Sequence, residues 1–122
     1  MKRVIKFRVF DNISKEMYRW SQIASISLVD FYYEHYHLMQ FTGLKDKNGI
    51  EIYEGDIVKI EFKEEFNSKN YINISEVIWS ESSLRWDVPV ENGAKYGLPL
   101  NWGGYESLEI IGNIHEHSNL LC

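Results

Sequence analysis

At 122 residues the chain has room for one domain, with a core that needs neither disulfides nor metal ions. Hydrophobic residues at 44% and charged residues at 25% give the balance of a folded globular protein and exclude overall disorder. A formal net charge of −5, from 13 basic and 18 acidic side chains, counts against a protein that coats DNA, because phosphate contacts require Lys and Arg in number.

Val4 to Phe10 opens with alternation: Ile5, Phe7 and Val9 fall on one face, Lys6 and Arg8 on the other. That is the period-two pattern of a half-buried strand. Asp11-Asn12 supplies turn chemistry, since a short Asx side chain bonds nearby backbone N–H groups. Met17 to Trp20 reads as the return strand of a hairpin. Ser21 to Asp30 fits a short helix or a strand, with strand preferred, and aromatic-rich Phe31 to Phe41 reads as strand broken near Glu34-His35. Asn48-Gly49 predicts a tight hairpin turn, because this pair tolerates positive φ, between strands at Phe41–Leu44 and Ile50–Tyr53.

Gly55-Asp56 opens another alternating strand, with Val58, Ile60 and Phe62 on one face and Ile57 offset from them. Lys63 to Asn70 is polar and reads as a loop. Ile72 to Trp79 and Leu84 to Val88 read as strands joined by a Ser-rich turn, and Pro89 to Asn101, which holds both prolines, reads as a loop. Leu108 to Ile114 is the last strand, and Ser118 to Cys122 a tail. No segment keeps apolar residues at helical spacing over three turns. The expected fold is mainly β and a single domain over 1–122. It comprises an N-terminal β-hairpin region over 1–45, a small SH3-like barrel or strongly bent antiparallel sheet over 46–117, and the tail.

Cys122 is the single cysteine, so no intrachain disulfide and no thiolate metal pattern is available, which fits a reducing cytosol. The opening MKRVIKFRVF threads charge through what would be the apolar core of a signal peptide. No run approaches the ~18 apolar residues of a membrane span. A cytoplasmic location without membrane contact is expected.

The central segment Leu38-Met39-Gln40-Phe41-Thr42-Gly43-Leu44-Lys45-Asp46-Lys47-Asn48-Gly49, continued by Glu51-Ile52-Tyr53-Glu54-Gly55-Asp56-Ile57-Val58, resembles the signature of the YopX family. Phe7 to Asp11 with Met17, and Glu109 to Ile114, extend the resemblance along the chain. The resemblance implies a mainly-β, cytoplasmic protein encoded by a bacteriophage or prophage. It brings no established activity and no catalytic residues. Family members commonly place Tyr and Asn where this chain has His115 and His117, so a role for these histidines would be particular to this protein.

Nucleophile elbows, phosphate loops and dinucleotide fingerprints are missing from the sequence, and pairs such as Glu54 and Asp56 arise by chance among 18 acidic residues. An enzyme is not expected, nor a cofactor. His35-x-His37 and His115-x-His117 have the spacing that puts two imidazoles on one strand face, but they read more simply as surface histidines, and no metal is assigned. Lys2, Arg3, Lys6, Arg8, Lys15 and Arg19 beside Tyr18 and Trp20 are the elements of a single-strand nucleic-acid binder, a reading that the acidic balance of the chain disfavours. Trp79 and Trp86 are expected in the core. Trp102 and Tyr105, among small residues, form either a partner-facing surface or a loop folded back on the barrel end. The expectation is therefore binding, to an unidentified phage or host protein or to further copies of the chain. Trp102, Tyr105, Arg8 and Arg19 are the candidate contact residues.

Overall fold

The alternating segments of the chain form antiparallel strands, and the turn residues between them set where each one ends. The computed structural model describes residues 4–23, 35–64, 68–91 and 95–121. Strands β1 (Phe7–Asp11) and β2 (Glu16–Tyr18) make the expected hairpin, with Asp11 Oδ1 accepting from the Ile13 and Ser14 N–H groups at 2.9 and 3.3 Å. The return strand stops at Tyr18, two residues earlier than expected. Trp20 opens a short helix, α1 (Trp20–Ile23), whose Ile23 is buried. The rest of Ser21–Asp30, and Phe31 to Glu34, lie outside the described residues.

Strands β3 (Tyr36–Lys45) and β4 (Glu51–Tyr53) complete a sheet in the order β2-β1-β3-β4. The turn between them is wider than a two-residue hairpin. Gly49 alone takes positive φ, +78°, while Asn48 does not. The Asp46 carboxylate replaces the missing turn geometry: Oδ1 accepts from the Asn48 and Ile50 N–H groups, both at 2.9 Å. Its Oδ2 accepts from the Ile110 N–H at 3.0 Å.

Strand β5 (Asp56–Lys63) is central to a second sheet, flanked by β6 (Asn70–Glu76) and β10 (Tyr105–Asn113). Val58, Ile60 and Phe62 enter the core with Ile52, Val77, Val88, Val90 and Leu100. Ile57 is equally inaccessible on the opposite side, so β5 is covered on both faces at its start. The expected strand Ile72–Trp79 is two strands. It breaks at buried Val77, and β7 (Ile78–Ser80) joins β8 (Arg85–Glu91) and β9 (Lys95–Pro99) in a third sheet. The three sheets curl into a half-barrel, the bent-sheet form of the expected architecture. The tail forms a 3₁₀ turn at Ser118–Leu121.

The segment Pro89–Asn101 is not a loop as expected. It supplies the end of β8 and all of β9, with the tip at 92–94 outside the described residues. Both prolines fit because of register. The Leu100 N–H donates to the Trp86 carbonyl at 2.9 Å, which puts the hydrogen-bonded pairs at Trp86, Val88 and Val90. Pro89, opposite Gly97, and Pro99, opposite Asp87, fall between them, so the N–H each one lacks would point out of this ladder. The Pro89 carbonyl accepts instead from Ser75 Oγ of β6, which links the second and third sheets.

The turn carboxylate at Asp46 makes a checkable contribution to stability. Burial alone would raise its pKa, but the N–H donors of Ile110, Ile50 and Asn48 hold it below the ordinary value of 3.8. A depressed folded pKa gives stability that is present above the ordinary value and lost as pH falls through the folded one. Asp46→Asn should cost about 2 kcal/mol at neutral pH. In urea titrations the gap from the parent protein should narrow below pH 4.

Candidate functional site

The turn Glu54-Gly55 between β4 and β5 sits where the first sheet meets the second, and a cleft opens on either side of it. Arg8, from the outer face of β1, reaches back to this turn: Nη2 donates to Asp56 Oδ1 at 2.7 Å and to the Glu54 carbonyl at 3.4 Å. Side-chain exposure is 14% for Arg8 and 3% for Asp56, so the pair is internal. The Arg8 guanidinium lies 4.8 Å from the Tyr53 ring centroid. Burial pushes the Asp56 carboxyl up, against the pull of Arg8 and the Tyr53 N–H.

The first cleft, about 820 Å³, lies between the N-terminal hairpin and β4. It brings together Arg8, Arg19 and Trp20 with Lys6, Met17, Ile50 and Tyr53. Its charges are largely matched. Lys6 Nζ pairs with Glu51 and lies 4.8 Å from the centroid of the Phe41 ring, and Arg8 pairs with Asp56. Among the described residues, no hydrogen bond or ion pair holds the Arg19 guanidinium, and Trp20 beside it is 47% exposed, with its ring 6.0 Å from that of Phe7.

The second cleft, about 400 Å³, is lined by Gln40, Glu54, Trp79 and Trp86. Of the two tryptophans expected in the core, Trp86 is partly buried and packs against it, while Trp79 lies outside it. They are a directly opposed pair across the β7–β8 hairpin, ring centroids 5.1 Å apart at 70°, and Trp79 is 44% exposed. Their symmetric placement about the turn Glu81–Leu84 is the sequence signal that would have paired them. Glu54 is clamped to β3: its N–H donates to the Gln40 carbonyl at 2.9 Å, and its Oε1 accepts the Gln40 N–H at 3.3 Å. Beyond Glu54 the surface continues into a further hollow of about 330 Å³ that includes Glu76, His37 and His115. Glu76 is raised in pKa by burial and by the charge of Glu54.

The four histidines do not converge. His37 and His115 meet face to face at 4.7 Å and 28°, and His115 stacks on Phe10 at 5.0 Å. Burial, then His37 and Arg8, lower the pKa of His115. His35 packs on Tyr36, while His117 Nδ1 accepts the Asn113 N–H at 3.1 Å. The His117 ring lies so close to Gly112 that a Cβ there would come within 2.8 Å of it. Among the described residues, no three His, Cys, Asp or Glu side chains are grouped to hold a metal ion. Among the described residues, no helix is long and apolar enough to cross a membrane.

Trp102 and Tyr105 come together at the end of the core. The Trp102 ring stands edge-on to Tyr105 at 5.0 Å and to Phe62 at 5.7 Å. It seats on Gly104, where a Cβ would lie 2.2 Å from the indole. The Tyr105 hydroxyl donates to the Pro99 carbonyl at 2.8 Å, and burial followed by the charge of Asp87 raises its pKa. The loop is thus folded back on the half-barrel, with the indole 36% exposed.

Comparison with known proteins agrees with this architecture. The family model described as YopX protein matches residues 6–122, and the chain belongs to the YopX family. No curated protein sequence matches the chain. The crystal structure of protein EF1440 from Enterococcus faecalis is similar in fold, with a TM-score of 0.55 and 24% identity, over 99% of this chain and 100% of that one.

Because Arg8 and Asp56 are buried together, removing one strands the other. Arg8→Met should destabilise the protein by about 3 kcal/mol in urea unfolding. Adding Asp56→Asn, which still accepts the Tyr53 N–H, should restore part of that loss.

Proposed function

We propose that this protein is a phage- or prophage-encoded accessory protein of the bacterial cytoplasm that acts by binding another protein, not by catalysis. The carrying observation is the charge arrangement of the hairpin cleft. Of the three basic side chains that line it among the described residues, Lys6 and Arg8 are engaged by Glu51 and Asp56, which leaves Arg19 beside exposed Trp20 and Ile50. One unpaired cation among the described residues, next to apolar surface, suits an amphipathic polypeptide segment with an acidic residue. It suits a polynucleotide poorly, since successive phosphates need successive cations.

Peptides selected from a random library on the immobilised protein should carry an acidic residue next to apolar ones. They should lose most of their affinity for Trp20→Ala and for Arg19→Glu. Peptides indifferent to both changes would reject this cleft. Tight, salt-sensitive binding of single-stranded DNA weakened by Arg19→Glu would replace the reading with the nucleic-acid one.

A second reading, self-association, is favoured by β6. It lies at an edge of its sheet, with Ile72 61% and Ile74 45% exposed on one face. Open apolar edges pair with their own kind. Light scattering after gel filtration at two protein and two salt concentrations should then show a dimer that Ile74→Lys dissociates. A monomer under every condition would dismiss it.

A further inference from the structure

We infer that the corner formed by Trp79, Trp86 and Glu54 is a binding site for an organic cation, specifically an arginine side chain presented by a polypeptide partner. This site lies apart from the hairpin cleft and rests on different observations. The exposed Trp79 indole and the partly buried Trp86 indole line one concavity together with a carboxylate and an amide. The ring planes meet at 70°, so the pair makes a corner and not a platform. The C–H face of a sugar ring favours a platform, whereas a cation is drawn both to an indole face and to a neighbouring anion.

The electrostatics have the matching sign. Glu54 is held in place by its hydrogen bond from the Gln40 N–H, and no basic side chain pairs with its carboxylate among the described residues. Arg8 approaches the same residue only at its carbonyl and directs its charge to Asp56. Glu76 lies in the adjoining hollow, near enough for Glu54 to raise its pKa, so a second anion sits beside the first. On that side burial lowers the pKa of His115, so its imidazole adds little opposing charge at neutral pH. A planar guanidinium can lie against one indole and donate to the Glu54 carboxylate at once, which a compact ammonium does less well. The acidic balance of the chain, 18 carboxylates to 13 basic groups, favours a basic partner in the same way.

The test follows the indole N–H resonances of the 15N-labelled full chain during titration with a capped Gly-Arg-Gly peptide. Trp79→Phe and Trp86→Phe variants assign the two signals. The expected result is saturable movement of the Trp79 and Trp86 resonances. The same peptide with citrulline, isosteric and uncharged, should give none. Glu54→Gln keeps an acceptor for the Gln40 N–H and removes the charge, and should weaken binding about fivefold or more. Equal binding of the citrulline peptide, no effect of Glu54→Gln, or no movement of either resonance would overturn the proposal. Tetramethylammonium or arginine amide binding as tightly as the peptide would overturn the polypeptide source and leave a small-cation site.

Discussion

The structure depends on one buried ion pair. Arg8 of β1 and Asp56 of β5 stand 48 positions apart in sequence, and their contact fastens the first sheet to the second. Taking a carboxylate and a guanidinium out of water is costly, and the surrounding hydrogen bonds must repay it. Asp56 Oδ2 takes the Tyr53 N–H at 2.7 Å, the Asp56 carbonyl takes the Val77 N–H at 2.8 Å, and Gly55 exchanges further bonds with Val77 and Ile114. Three distant parts of the chain, at 8, 77 and 114, therefore converge on the turn 54–56. A side chain on Gly55 would press on Met39 Sδ at 3.2 Å in a residue already at φ +84°, which leaves glycine as the fitting residue there.

The same junction aims the two clefts. Tyr53, the last residue of β4, lines the hairpin cleft, and its neighbour Glu54, in the turn, lines the tryptophan corner. One face offers a free cation beside apolar surface, and the other an anion beside aromatic surface. The turn 54–56 is the support that both faces share.

Much of this could be read in the sequence, and the failures have physical causes. Alternation located β1 and β5, although Val9 and Phe10 of β1, and Ile57 and Val58 of β5, are buried on opposite faces, and Asp11 announced its turn through its own side-chain bonds. Trp20 was misread because four residues of helix carry no periodicity. Proline and glycine in 89–101 suggested a loop, yet proline is harmless wherever a strand turns its N–H out of the ladder, and register is not visible locally. Gly97 is in that strand for a specific reason: a Cβ would stand 2.4 Å from Asp87 Oδ2, and Asp87 is buried against Arg85. Of the candidate contacts, Arg19 faces open cleft, Arg8 is turned inward, and Trp102 with Tyr105 closes the core end. Glu54 and Gln40 could not be singled out, since a carboxylate and an amide acquire their meaning only from the indoles that the fold brings to them.

The Asp46 carboxylate also bears on the order in which the chain assembles. Two of its acceptor bonds close a local turn, but the third goes to Ile110, 64 residues downstream, and the neighbouring Lys47 N–H donates to Leu108. During synthesis the β3–β4 turn can form early, but it stays incompletely bonded until β10 emerges. Strand β10 is also the long partner of β5, so the core remains open along that side for most of translation. Contacts this distant raise the entropic barrier to closure and slow folding relative to a chain of local hairpins. The nascent protein is thus exposed along β5 until the distant strand β10 has been made and seals it.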